Sequence, residues 1–138
     1  MNATNLDQTL AALVAEWSVR SFQWGITDCC QFARAAAWRV HGVVVDSPHY
    51  ISEREARRVL DKLGGYAGLV RSAGFTAHPL AAAARGDFVL YEHKGPGLFA
   101  QGLAVVTGTH AHAPTHTGLL AIERSAWLGC WGPQRGGC

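Results

Sequence analysis

Apolar positions recur with a helical period over the first half of the chain and with a strand period over the second. From Asn5 to about Arg20, the residues Leu6, Leu10, Leu13, Val14 and Trp17 fall on one face, which predicts an amphipathic helix. Asp7 near its start suits the positive end of the helix dipole. Ser21 to Thr27 reads as an aromatic-rich linker with a turn at Trp24-Gly25. Asp28 then opens a second helix running to about His41, because its carboxylate can accept from a free amide of the first turn. Gly42 supplies the stop, and Phe32, Ala35, Ala36 and Trp38 are the side chains expected to face a sheet. Val43–Asp46 reads as a short extended piece and Ser47-Pro48 as a loop. Ser52 and Glu55 have capping-box spacing at the head of a third helix. Ala56, Val59, Leu60 and Leu63 form its apolar stripe, and Gly64-Gly65 ends it. A short fourth helix is expected over Tyr66 to Ser72.

The second half changes period. Asp87–Tyr91, Gly102–Thr107, Gly118–Ile122 and Ala126–Trp131 are short apolar runs bounded by glycine or proline, and each predicts a strand. Helices first and strands afterwards is the order of an α+β fold, with the N-terminal helices packed on one side of a small antiparallel sheet. Residues 1–131 make one domain on this reading. Residues 132–138 have no periodicity and read as a C-terminal arm, flexible or bound to a partner.

The chain has 138 residues, of which 49% are hydrophobic and 16% charged, so a packed globular core is expected. So little charge leaves part of the surface suited to burial against partner chains. The net charge is +2 and the arginines are scattered, which argues against nucleic-acid binding. No apolar run approaches the roughly 20 residues of a membrane span. The first residues lack the pattern of a signal peptide, so synthesis and folding in a cytoplasm are expected.

Candidate chemistry centres on Cys29 and Cys30, which fall in the first turn of the second helix. Backbone amides and the helix dipole there favour a thiolate, the form in which a cysteine is a nucleophile. Free cysteines are also often simply buried, so a packing role stays open. A base would have to come from Thr109-His110-Ala-His112-Ala-Pro-Thr-His116, where His110 and His112 have strand spacing and face the same way. A displaced base, a metal site and a polar hairpin with solvated histidines are the three readings of that segment. Cys130 and Cys138 are weak metal-ligand candidates, for zinc or an iron–sulfur centre, because their spacing matches no short paired motif. No cofactor is otherwise indicated.

The run Phe22-x-Trp24-Gly25-x-x-Asp28-Cys29, together with Gly86-Asp87-Phe-Val-Leu90, resembles the NlpC-like branch of the papain-fold cysteine peptidases. More narrowly, Ser52–Leu63, Leu103–Val106 and Ala126-Trp127 look like a phage-associated subgroup encoded beside tail-tip genes. The resemblance spans roughly residues 20–131. It implies an NlpC-like papain fold and makes Cys29 the counterpart of the nucleophile, with Asp28 as the helix cap. The position at which the peptidases carry the base histidine on the second strand is Gly102 here.

Three functions follow as expectations. The first is a structural and assembly component of a phage-type tail tip in the virion, partnered by other tail-tip or tail-hub proteins and with weak or no peptidase activity. The second is an active cysteine endopeptidase acting on peptidoglycan stem peptides, with Cys29 assisted by a histidine of the 110–116 segment: His110, His112 or His116. The third is a metal- or cluster-binding tail-tip piece.

Overall fold

The computed structural model describes residues 3–46, 49–94 and 97–135, with residues 3 and 4 described for the backbone alone. Ser47-Pro48 and Cys138 therefore lie outside the described residues. Four helices come first: α1 (Ala3–Ser18), α2 (Cys29–His41), α3 (Glu53–Leu63) and α4 (Gly65–Ser72). Six strands follow: β1 (Thr76–His78), β2 (Phe88–Glu92), β3 (Gln101–Val106), β4 (His110–Thr115), β5 (Gly118–Glu123) and β6 (Trp127–Gly132). They form one sheet in the order β1-β6-β2-β3-β4-β5, with every neighbouring pair antiparallel. The protein is thus an α+β domain with its helical half first.

Local chemistry explains the helix limits. Asp28 caps α2 by accepting from the Gln31 amide at 3.2 Å. Gly42 ends it in the left-handed conformation at φ 67°, its amide donating to the Trp38 carbonyl and the next amide, of Val43, to the Ala37 carbonyl. Ser52 caps α3 by accepting from the Glu55 amide at 3.2 Å. The return contact of the capping box is shifted by one residue, since Glu55 accepts from Ile51 rather than from Ser52. Gly64 closes α3, and α4 begins at once.

The buried face of α2 differs from the expected one. Phe32, Ala33, Ala36 and Ala37 are buried, Ala35 is half-buried, and Trp38 is 59% exposed. The pairs 32/33 and 36/37 follow the helical repeat, whereas residue 38 falls on the outer side. Burying Phe32 alone is worth about 1.5–3 kcal/mol.

The sheet has two working faces. Phe88, Leu103, Val105 and Trp131 point to the helices and pack with Leu10, Leu13, Trp17 and Phe32. Val89, Tyr91, Ala104, Val106, Ala111, Ala113, Ile122, Trp127 and Cys130 occupy the other face and bury one another.

Two strands were not expected. The segment from His110 reads as a polar loop or hairpin in sequence, yet β4 pairs with β5 over its whole length and with β3 at Val105–His112 and Val106–Ala111. Its alternating alanines, Ala111 and Ala113, are fully buried. Pro114 lacks an amide, and the β3 pairing stops before it. β1 is only three residues long and sits at the sheet edge beside β6. The piece at Val43–Asp46 forms no strand. Beyond β6 the described part of the arm is anchored: Arg135 pairs with Asp87 and donates to the Ala82 carbonyl at 2.9 Å.

A candidate thiol site at the head of the second helix

The site is built on the turn before α2. Gly25 has φ 83°, and a Cβ there would collide with the Tyr50 carbonyl oxygen, so the turn admits glycine alone. That close approach brings the Tyr50 ring over Asp28. Tyr50 donates to both Asp28 carboxylate oxygens, at 3.0 and 2.8 Å, and Gly25 donates its amide at 2.7 Å. With the Gln31 amide, the buried Asp28 carboxylate is fully occupied in holding the turn, the Tyr50 loop and the helix start together. Burial and neighbouring charge push the Tyr50 hydroxyl well above its usual range, so it stays a donor.

Cys29 follows, half-buried between the helical core and the second sheet face. Its sulfur lies 3.6 Å from the Tyr66 hydroxyl. The adjacent Cys30 thiol is the largest influence lowering the Cys29 pKa. Burial opposes it, the Leu103 backbone and Tyr66 support it, and the Asp28 charge opposes it. Cys30 is pushed the other way, well above an ordinary thiol, first by donating to Cys29 and then by burial. Of the two, Cys29 therefore ionises the more readily and Cys30 stays the thiol. Tyr66 is likewise held protonated, chiefly by burial.

Cys29 stands between two spaces. One is an open cleft walled by Phe22, Trp24, Glu53, Tyr91, Gly102 and His116. The other is a half-open apolar pocket walled by α2, α3, α4 and the sheet. Aromatic rings frame the cleft: Phe22 meets Trp24 edge-on with centroids 5.0 Å apart, and Trp24 stacks on Phe99 at 5.6 Å. His116 packs on Phe22 at 4.2 Å and near Trp24 at 6.1 Å.

The structure places the sequence-predicted residues apart. His112 opposes Val105, beyond the reach of the cleft, and its Nδ1 is 2.6 Å from the Thr107 hydroxyl. Burial, then the nearby His110, lower its pKa. His110 is exposed at the far end of β4, 3.0 Å from the Thr109 hydroxyl. Neither lines the space beside Cys29, whereas His116 does. The antiparallel register explains this: moving from 112 to 116 carries β4 back toward the Gly102 end of β3.

Gly102 itself pairs with Tyr91, and a Cβ at 102 would stand 2.5 Å from the Tyr91 Cζ and 2.6 Å from its hydroxyl oxygen. An aromatic ring thus fills the place of a side chain at 102. No local pattern signals the roles of Tyr50, Tyr66 and Tyr91. All three come from loops or elements distant in the chain.

Cys130 is buried on the second face, 3.5 Å from an Asp87 carboxylate oxygen, and burial beside that charge pushes its thiol up to about 12. Among the described residues no three His, Cys, Asp or Glu side chains are grouped to hold a metal ion. No helix among them is long and apolar enough to cross a membrane.

The chain belongs to the family described as a domain of unknown function, DUF6950, whose profile matches residues 1–132. No curated protein matches it by sequence.

Proposed function

We propose that this member of a family of unknown function is a structural and assembly component of a phage-type tail tip, built on an NlpC-like papain body and without peptide-bond hydrolysis. One observation carries the second half of that reading: the Tyr91 ring stands where a side chain at 102 would be. Cleaving an amide by a cysteine needs a base to take the thiol proton and return it to the leaving amine. The Tyr66 phenol in contact with Cys29 and the adjacent Cys30 thiol are both held protonated, and neither takes up and returns a proton in that way near neutral pH.

The assembly half rests on the sequence resemblance across residues 20–131 and on the surface. Ile26, Trp38 and Val44 are exposed beside one groove along α2, an apolar patch suited to a partner chain. Removing the gene from its phage should give defective tail tips, and restoring it as Cys29→Ala should rescue assembly and infection fully. Normal tails and infection without the protein would overturn the reading.

A second reading, an active peptidoglycan endopeptidase, is favoured by His116 and His93, which share the cleft with Cys29. It requires wild type to release stem-peptide fragments that Cys29→Ala and His116→Ala do not.

A further inference from the structure

The sheet ends in β1 on one side and β5 on the other. Three residues make β1, and a strand that short is itself a guarded edge. β5 has six, Gly118–Glu123; it pairs with β4 in an unbroken register and with no described segment on its outer side. Proteins commonly protect such an edge with lysine, proline or a bulge, and β5 carries none of them.

Pro114 fixes which way the β5 backbone points. It stands opposite Leu119 and has no N–H to give, so that pair is not a hydrogen-bonded one. Hydrogen-bonded and non-hydrogen-bonded pairs alternate along an antiparallel ladder. Gly118, Leu120 and Ile122 therefore turn their backbone groups to β4, and Leu119, Ala121 and Glu123 turn theirs outward. Leu120, Ala121 and Glu123 are exposed, the leucine at 45%.

We propose that β5 pairs with β5 of a second copy of this chain, antiparallel about a two-fold axis through Ala121, so that the two sheets join edge to edge. This centre is the one that sets all three outward residues in hydrogen-bonded pairs. Ala121 meets the partner's Ala121, and Leu119 meets the partner's Glu123 in both directions, with about six backbone hydrogen bonds. On the other face Leu120 comes to lie against the partner's Ile122, which covers the exposed leucine.

Charge argues for a second copy as the occupant. Among the described residues no cation pairs with Glu123. The partner's Glu123 falls beside Leu119, next to Gly118, and Arg20 lines a surface hollow together with Gly118. Leu119 packs on the helical core, the side of the sheet from which α1 delivers Arg20. Arg124 is turned away, donating to the Leu80 carbonyl at 2.8 Å. The two-fold thus makes two Arg20–Glu123 pairs at once, as an isologous interface does. The inference is independent of tail-tip assembly.

Sedimentation equilibrium of the whole chain tests it. The mass should rise from 14.8 kDa to twice that with concentration, and hydrogen exchange at the Leu119, Ala121 and Glu123 amides should slow in step. Ala121→Pro removes one outward N–H where an edge strand tolerates proline, and should leave a folded monomer. Glu123→Arg should weaken the dimer about tenfold through two lost pairs, and adding Arg20→Glu should restore it. A wild-type chain still monomeric at about 1 mM, the weak end of the affinity scale, overturns the inference. So does a dimer that Glu123→Arg leaves unchanged, or one whose newly protected amides lie away from β5.

Discussion

Tyr91 and Gly102 face each other across β2 and β3, and the tyrosine ring occupies the volume that any side chain at 102 would need. The relationship is reciprocal: the ring is buried at 5% exposure because its partner has no side chain. Burial, then the Cys29 charge, hold its hydroxyl above the ordinary phenol range, so it is not a base.

Installing a histidine at 102 therefore does not create a thiol–imidazole pair. Gly102→His is expected to destabilise the fold by about 1–3 kcal/mol, as overpacking does, read as a lower urea midpoint. Combined with Tyr91→Ala, which empties the space, the same histidine should recover part of that loss. Equal stability of Gly102→His and wild type would show that the ring moves aside freely.

The Asp28–Tyr50 contact predicts a second outcome. Tyr50→Phe removes the only side-chain donor that the described residues offer to this buried carboxylate and should cost about 1.5–3 kcal/mol, the range for hydrogen bonds to charged groups. Asp28→Ala also loses the helix cap, typically about 1 kcal/mol, and should be the more damaging change. Urea unfolding of the two variants orders them.

Thiol reactivity should separate the cysteines by pH. Cys29 is held below the ordinary thiol range by Cys30, so its thiolate fraction is larger at neutral pH. Iodoacetamide should label it first, with a midpoint below the free-thiol value of about 8.5. Cys30→Ala removes the largest lowering influence and should move that midpoint upward. Cys130, pushed up to about 12 and buried, should label last. A Cys29 midpoint at or above that of free cysteine would contradict the order.

Arg135 closes the arm over the buried Asp87, whose other partners are the Ala84 amide and the Cys130 thiol. Arg135→Ala removes the one cation paired with that carboxylate among the described residues. The expected loss is about 1–3 kcal/mol, the cost of an under-satisfied buried polar group, and truncation after Gly132 should match it. A truncated protein as stable as the whole would assign the arm no part in the fold.

The order of elements, the caps at Asp28 and Ser52, the stop at Gly42 and four of the six strands were legible in the sequence alone. Each depends on residues close together in the chain: a carboxylate three positions before an amide, or an alternation of apolar side chains. β4 was not legible, because its threonines, histidines and proline resemble a loop until β3 and β5 bury the two alanines between them. The outward turn of Trp38 was likewise set by which neighbouring positions met the sheet. The thiol at residue 29 was visible as a helix-tip cysteine, but its surroundings were not. Tyr66, Tyr91 and Leu103 reach it from 37 or more residues away in sequence, and no local pattern encodes that meeting. The sequence determined that an acid and a thiol begin α2. The packing of distant rings decided that the thiol meets a phenol and another thiol, and that a tyrosine fills the one place opposite Gly102.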